Sequence, residues 1–519
     1  MKQLISLLSI FILIVFSACH PNMEGADALG LDATTAEQYL PPPPPPPPPS
    51  APADEPFRIA DYEVDPVPQE RYNALVENSF ISVSQQAIST FSIDADGASY
   101  ANVRRFIQQD QRVPPAGALR TEEMINYFDL DYPYESTTHP ISLNGEVSPC
   151  PWNEDNQLVR IGIKGRPMAD NDVPPANFVF LIDVSGSMAS EDKLEMLKSG
   201  FKLFVDELSS DDRVAIVTYA GSAGVVLPST TGDRKTTIKN AINRLGSGGS
   251  TAGAQGILTA YEIARAHFIE GGNNRIIIGT DGDFNVGPSS QSALVEIIEA
   301  ERDFGIFLTV LGVGRGNLND SMLEQIANNG NGTYEYIDHI EQLRKVFIYD
   351  YQKFYTVAKD VKIQVEFDPN RVQAYRLIGY ENRLLNTEDF EDDKRDAGEI
   401  GAGQNITALY EIVPADKSTS SQTPTFTIDF RYKEPDSNTS KPLELPVFDL
   451  GDRFDQASDF TKFTAGVALF SMLLNDSEYS GDGTYEDVLS WLGEAELSDK
   501  HGFKAEFREI VVAAKSLYQ

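Results

Sequence analysis

The chain has 519 residues, enough for two to four domains rather than one core. Its 42 Lys plus Arg face 78 Asp plus Glu, a formal net charge of -36 that repels phosphate backbones and argues against nucleic acid as a partner. Cys19 and Cys150 are too few for a disulfide framework, and five histidines without HExxH spacing argue against zinc hydrolysis.

In chain order, Lys2 precedes an apolar run from Leu4 to Phe16, too short to span a bilayer and shaped like a secretory signal. Phe16-Ser17-Ala18-Cys19 resembles a bacterial lipobox, which implies a signal peptide over residues 1–19 and lipidation of Cys19. An ordinary signal peptide cut near Ala18 is the alternative. Residues 20–70 hold nine consecutive prolines, Pro41 to Pro49, in a composition that cannot bury a core. At about 3.1 Å per residue this run makes a stiff spacer of about 28 Å. The expected location is the cell envelope, with the protein anchored in a membrane by lipid. His20 leaves no Asp after the cysteine, which favours the outer membrane.

A globular composition begins near residue 75. Ser99–Gln109 and Thr121–Phe128 have helical periodicity, and Ile141–Val147 and Leu158–Lys164 alternate as half-buried strands do. These define an N-terminal module at 75–170. From Asn177 the pattern changes. The apolar runs Phe178–Ile182, Val214–Tyr219, Arg275–Thr280 and Ile306–Val313, closed by Thr333–Ile337, alternate with helical segments. That order predicts a doubly wound, mostly parallel α/β sheet over 175–350. Beyond residue 355 come five strand candidates, then helices near Phe460–Leu474, Tyr485–Leu492 and Phe503–Leu517. The first of these helices, about 15 residues long, suits a buried core element better than a membrane span. The strands at 140–165 and those of the 355–519 module are expected to share one β-sandwich, with the α/β domain inserted between them.

Three loops of the α/β domain carry the chemistry. Asp183-Val184-Ser185-Gly186-Ser187 follows the first buried strand, Thr251 lies in a Gly-rich loop, and Asp281 directly follows the strand at 275–280. Ligands of doubly wound sheets bind at the carboxyl ends of strands, where the strand order reverses. Two carboxylates and three hydroxyls there form an oxygen-only donor set suited to Mg²⁺, with Mn²⁺ or Ca²⁺ as alternatives. Neutral hydroxyl donors leave the ion with positive charge for an incoming carboxylate. No His or Lys adjacent to these residues in sequence offers a base, and no GxSxG elbow or P-loop is present. Gly312-Val313-Gly314-Arg315-Gly316 lacks the third glycine of a dinucleotide fingerprint and is expected to be a plain loop.

The DxSxS motif, the spaced Thr and the Asp after a central strand resemble the metal-ion-dependent adhesion site of von Willebrand factor A domains. That resemblance implies Asp183, Ser185, Ser187, Thr251 and Asp281 as metal residues and a protein partner whose carboxylate completes the metal shell. Asn78–Val83, Ser89–Asp94, Ser99–Arg105 and Glu122–Phe128, with the segment after Phe354, are similar to the flanking modules of a bacterial lipoprotein family with a central A domain. A binding protein for adhesion or scaffolding is therefore expected rather than an enzyme. The alternatives are a metal-assisted hydrolase and a structural envelope protein with a vestigial site.

Overall fold

The apolar run near Asn177 forms the strand Ala176–Asp183, buried along its whole length. Its side chains alternate between two cores. Phe178, Phe180 and Ile182 face one, and Val179 and Leu181 the other. A strand covered on both faces needs apolar residues at successive positions, which explains the unbroken run. Phe180 stacks on Phe201 of the helix Met196–Glu207 at 4.3 Å, and each such buried side chain contributes about 1.5–3 kcal/mol.

The computed structural model describes residues 70–73, 75–93, 96–249, 253–282, 291–393, 397–415 and 423–518. Cys19, the Pro-rich stretch and Thr251 lie outside them. Among the described residues the central sheet runs Tyr334–Ile337, Ile306–Val313, Asn273–Thr280, Ala176–Asp183, Arg213–Ala220, Ser222–Thr231. Its first five strands are parallel. Ser222–Thr231 is antiparallel and had no counterpart among the strands expected from sequence. From Ala176–Asp183 the chain moves to one side for Arg213–Ala220 and later to the other for Asn273–Thr280. The reversal of order therefore lies between the strands that end at Asp183 and Thr280.

The flanking strands form one sandwich, as expected. One sheet is ordered Ile81–Ser82, Val372–Ile378, Asn405–Pro414, Gln157–Gly165, Ile141–Pro149, so strands before and after the α/β domain pair directly. The other holds Gly398–Gly401, Thr356–Phe367, Phe426–Lys433 and Lys441–Val447, with Ile88–Ser92 also on Thr356–Phe367. Val159, Ile161, Ile363, Val365 and Ile428 fill the space between them.

The C-terminal helices Asp459–Leu474, Tyr485–Glu494 and Phe503–Tyr518 pack with the N-terminal helix Ala98–Arg104 in a further core. Residues Phe463–Met472 are buried in it, and no helix among the described residues is long and apolar enough to cross a membrane. The expected helix at Ser99–Gln109 ends at Arg104 and continues as a wider turn, Arg105–Gln109. Cys150 is buried, and burial pushes its thiol well above the ordinary range, so an inert cysteine is what the fold contains.

Candidate metal centre

Asp183 is the last residue of its strand and is fully buried. Its Oδ1 accepts the Ser185 backbone N–H at 2.8 Å, and its Oδ2 accepts the Thr280 hydroxyl at 3.3 Å. The carboxylate is thus fixed by its own loop and by the neighbouring strand. Ser185 is extended (φ -60, ψ 168) and starts the short 3-10 turn Gly186–Ala189. That geometry brings the Ser185 and Ser187 hydroxyls within 3.0 Å of each other. Ser185 is buried and Ser187 exposed, so the group opens from the sheet toward solvent.

Asp281 follows the strand Asn273–Thr280 and is fully buried. Ser187 lies within hydrogen-bonding reach of its carboxylate. The next residue, Gly282, has φ +93, and a Cβ there would meet the Asn319 backbone nitrogen at 2.4 Å. Only glycine fits that turn.

The two carboxylates are held unequally. Burial pushes Asp183 up to about 6, helped by the charge of Asp281 and opposed by the bonds from Ser185 and Thr280. Burial also opposes ionisation of Asp281, but hydrogen bonds from Asn317, Lys193 and Ser187 outweigh it and hold the carboxyl below its ordinary range. Tyr219, at the end of the adjacent strand, is pushed well up by burial and by the nearby Asp183 charge.

The structure thus brings together Asp183, Ser185, Ser187 and Asp281. Thr251 lies outside the described residues, but the start of its loop is tied to the same place. Gly248 N–H donates to the Val184 carbonyl at 2.7 Å, and Gly186 N–H donates to the Gly249 carbonyl at 3.1 Å. The donors are hydroxyl and carboxylate oxygens, a set that suits a hard divalent cation.

One expectation is corrected. Sequence spacing offers no lysine beside these residues, yet Lys193 Nζ donates to Asp281 Oδ2 at 2.9 Å and to Asn317 Oδ1 at 3.1 Å. The lysine and the carboxylate it meets are 88 positions apart in the chain, so no local spacing could reveal the pair. Both bonds are donated by the lysine to oxygen acceptors, so its nitrogen is engaged as a donor at the centre. The Gly314–Gly316 loop, expected to be plain, is also part of this surround. Gly314 has φ +80, and a Cβ on it would lie 2.1 Å from Lys193 Cε. The missing side chain is the space through which the lysine stem passes.

On the far side of that loop, Glu70 Oε1 accepts Gly316 N–H at 2.9 Å, and Arg105 clamps both Glu70 oxygens at 2.7 Å. Arg71 N–H donates to the Leu318 carbonyl at 2.9 Å. Residues just after the Pro-rich stretch therefore strap down the loop that carries Asn317.

Profiles of known protein families match three stretches of the chain. The family profile described as von Willebrand factor type A domain matches residues 177–347. One described as von Willebrand factor matches 66–160, and one described as uncharacterized protein YfbK, C-terminal, matches 352–517. Domains of the type A fold generally mediate protein–protein interactions. Among solved structures, the conserved hypothetical protein BatB from Bacteroides thetaiotaomicron is 27% identical, covering 34% of this chain and 98% of that one with a TM-score of 0.30. The von Willebrand factor type A protein from Catenulispora acidiphila is 17% identical over 74% of this chain and 91% of its own, with a TM-score of 0.43. The Escherichia coli protein YfbK is 38% identical over 468 residues, 86% of this chain and 81% of its own length. At that identity and coverage, the chain belongs to the YfbK family, with a von Willebrand factor type A domain at its centre.

Proposed function

We propose that this protein is an envelope lipoprotein that captures a protein partner through a divalent cation held by its type A domain. In this reading Asp183, Ser185, Ser187, Thr251 and Asp281 bind Mg²⁺, directly or through water, and a carboxylate of the partner completes the shell. Cys19 carries the lipid, the Pro-rich stretch ahead of Glu70 spans the gap to the folded body, and the outer membrane is the site of anchoring. The role is binding rather than catalysis.

The observation that carries the proposal is the meeting of Asp183 and Asp281 with two hydroxyls 3.0 Å apart at the reversal of strand order. Asp183 gives it further support. A carboxyl pushed up by burial and by a second carboxylate is relieved when a cation shares the site.

The test is affinity capture from native envelope in Mg²⁺, in EDTA, and with Asp183→Ala. Capture should occur with the wild type in Mg²⁺ and be lost in both other arms, while thermal unfolding shows the variant still folded. A partner retained through both EDTA and the substitution contradicts the metal bridge.

A further inference from the structure

We propose that Lys193 is a built-in cation of the metal centre, one that weakens its grip on the metal and strengthens the bound metal's grip on an incoming carboxylate. This rests on the metal-centre reading above.

The lysine is fixed in place. It is 7% exposed, its Nζ is shared between Asp281 Oδ2 and Asn317 Oδ1, and its stem runs through the space left by Gly314. Its partner Asn317 sits on a loop strapped by Glu70 and Arg71. The lysine side chain is therefore held at the centre by its contacts.

Its effect follows from charge. Among the described residues of the centre, Asp183 and Asp281 bring two negative charges, the serine hydroxyls none, and Lys193 one positive charge. A divalent ion bound there sits in a centre one charge more positive than it would with a neutral residue at 193. A fixed positive charge within about 4–6 Å weakens a carboxylate's hold on a proton by about one to three powers of ten, and the same repulsion acts on a metal cation. The same positive excess attracts a carboxylate to the metal's open position. A centre built in this way releases metal readily and favours anionic ligands.

The experiment measures Mn²⁺ binding to the detergent-solubilised full-length protein by the loss of the free-ion paramagnetic resonance signal. Acetate serves as the carboxylate probe. Lys193→Met keeps most of the stem, and Lys193→Arg keeps the charge. The expected result is Mn²⁺ binding at least about tenfold tighter in Lys193→Met, with more acetate needed to perturb the bound ion. Lys193→Arg should stay near wild type on both counts. If wild type binds Mn²⁺ and Lys193→Met binds it no tighter, the lysine is a structural contact and the proposal is overturned while the metal centre stands. Equal action of acetate on both proteins overturns it as well. If none of the three proteins binds Mn²⁺ while circular dichroism shows all of them folded, the metal-centre reading itself fails.

Discussion

Asp183 and Asp281 differ only in their surroundings. Both are fully buried, but Asp281 has a lysine and an asparagine to hold its charge, whereas Asp183 has only a backbone N–H and hydroxyls. A similar contest affects a carboxylate away from the centre. Burial pushes Glu335 up to about 7, against the pull of Lys345, Lys353 and the Gln342 amide. A carboxyl raised in the folded state contributes stability in full below its unfolded value of 4.5 and loses it as pH climbs through about 7. The side chain is only half-buried by surface area, so the contribution is discounted to on the order of 2 kcal/mol. Thermal unfolding at pH 5 and pH 8 should show the protein less stable at the higher pH, and Glu335→Gln should flatten that slope. Identical slopes for the two proteins would show that Glu335 titrates normally.

Among the elements, the parallel strands were legible because burial on both faces leaves no choice but continuous apolar residues, as at Phe178–Ile182. Ser222–Thr231 was not. It is an edge strand, buried only at Leu227, interrupted by Gly224 and Pro228, and its residues follow no inside–outside rule. The DxSxS loop and Asp281 were legible because their motif is local. Lys193 was not, because a lysine at the start of a helix has the same local sequence whether it faces solvent or reaches across to another strand. Gly312–Gly316 was read as a plain loop for the same reason: Glu70 and Arg105 hold it from far along the chain. Glu70 is held down to about 2 by the Arg105 guanidinium and the Gly316 N–H, which outweigh its burial. Glu70→Gln leaves Arg105 buried without its full counter-charge and should cost about 3 kcal/mol. Amide exchange should accelerate from Gly316 to Asn319 and stay unchanged in the sandwich strand Phe426–Lys433. Unchanged exchange in the loop would show that the strap does not hold it.

Across the whole molecule, the modules are joined by buried charge as well as by apolar cores. Arg104 on the N-terminal helix pairs with Asp338 beside the α/β sheet at 2.6 Å and with Glu506 on the last helix at 2.8 Å. Arg120 reaches both Asp320 and Glu324 of the α/β domain. The sandwich is closed only when the chain before and after the α/β domain has met. This body presents one end of its central sheet, and that end carries the oxygen donors. Crystals grown with Mn²⁺ and measured at its absorption edge test the central claim most directly. The account predicts one anomalous peak within about 2.0–2.3 Å of the Ser185 and Ser187 hydroxyl oxygens, a metal–oxygen bonding distance, with Asp183 and Asp281 bonded to it directly or through water. A crystal in which that position stays empty in excess Mn²⁺, or in which the peak lies at other residues, contradicts it.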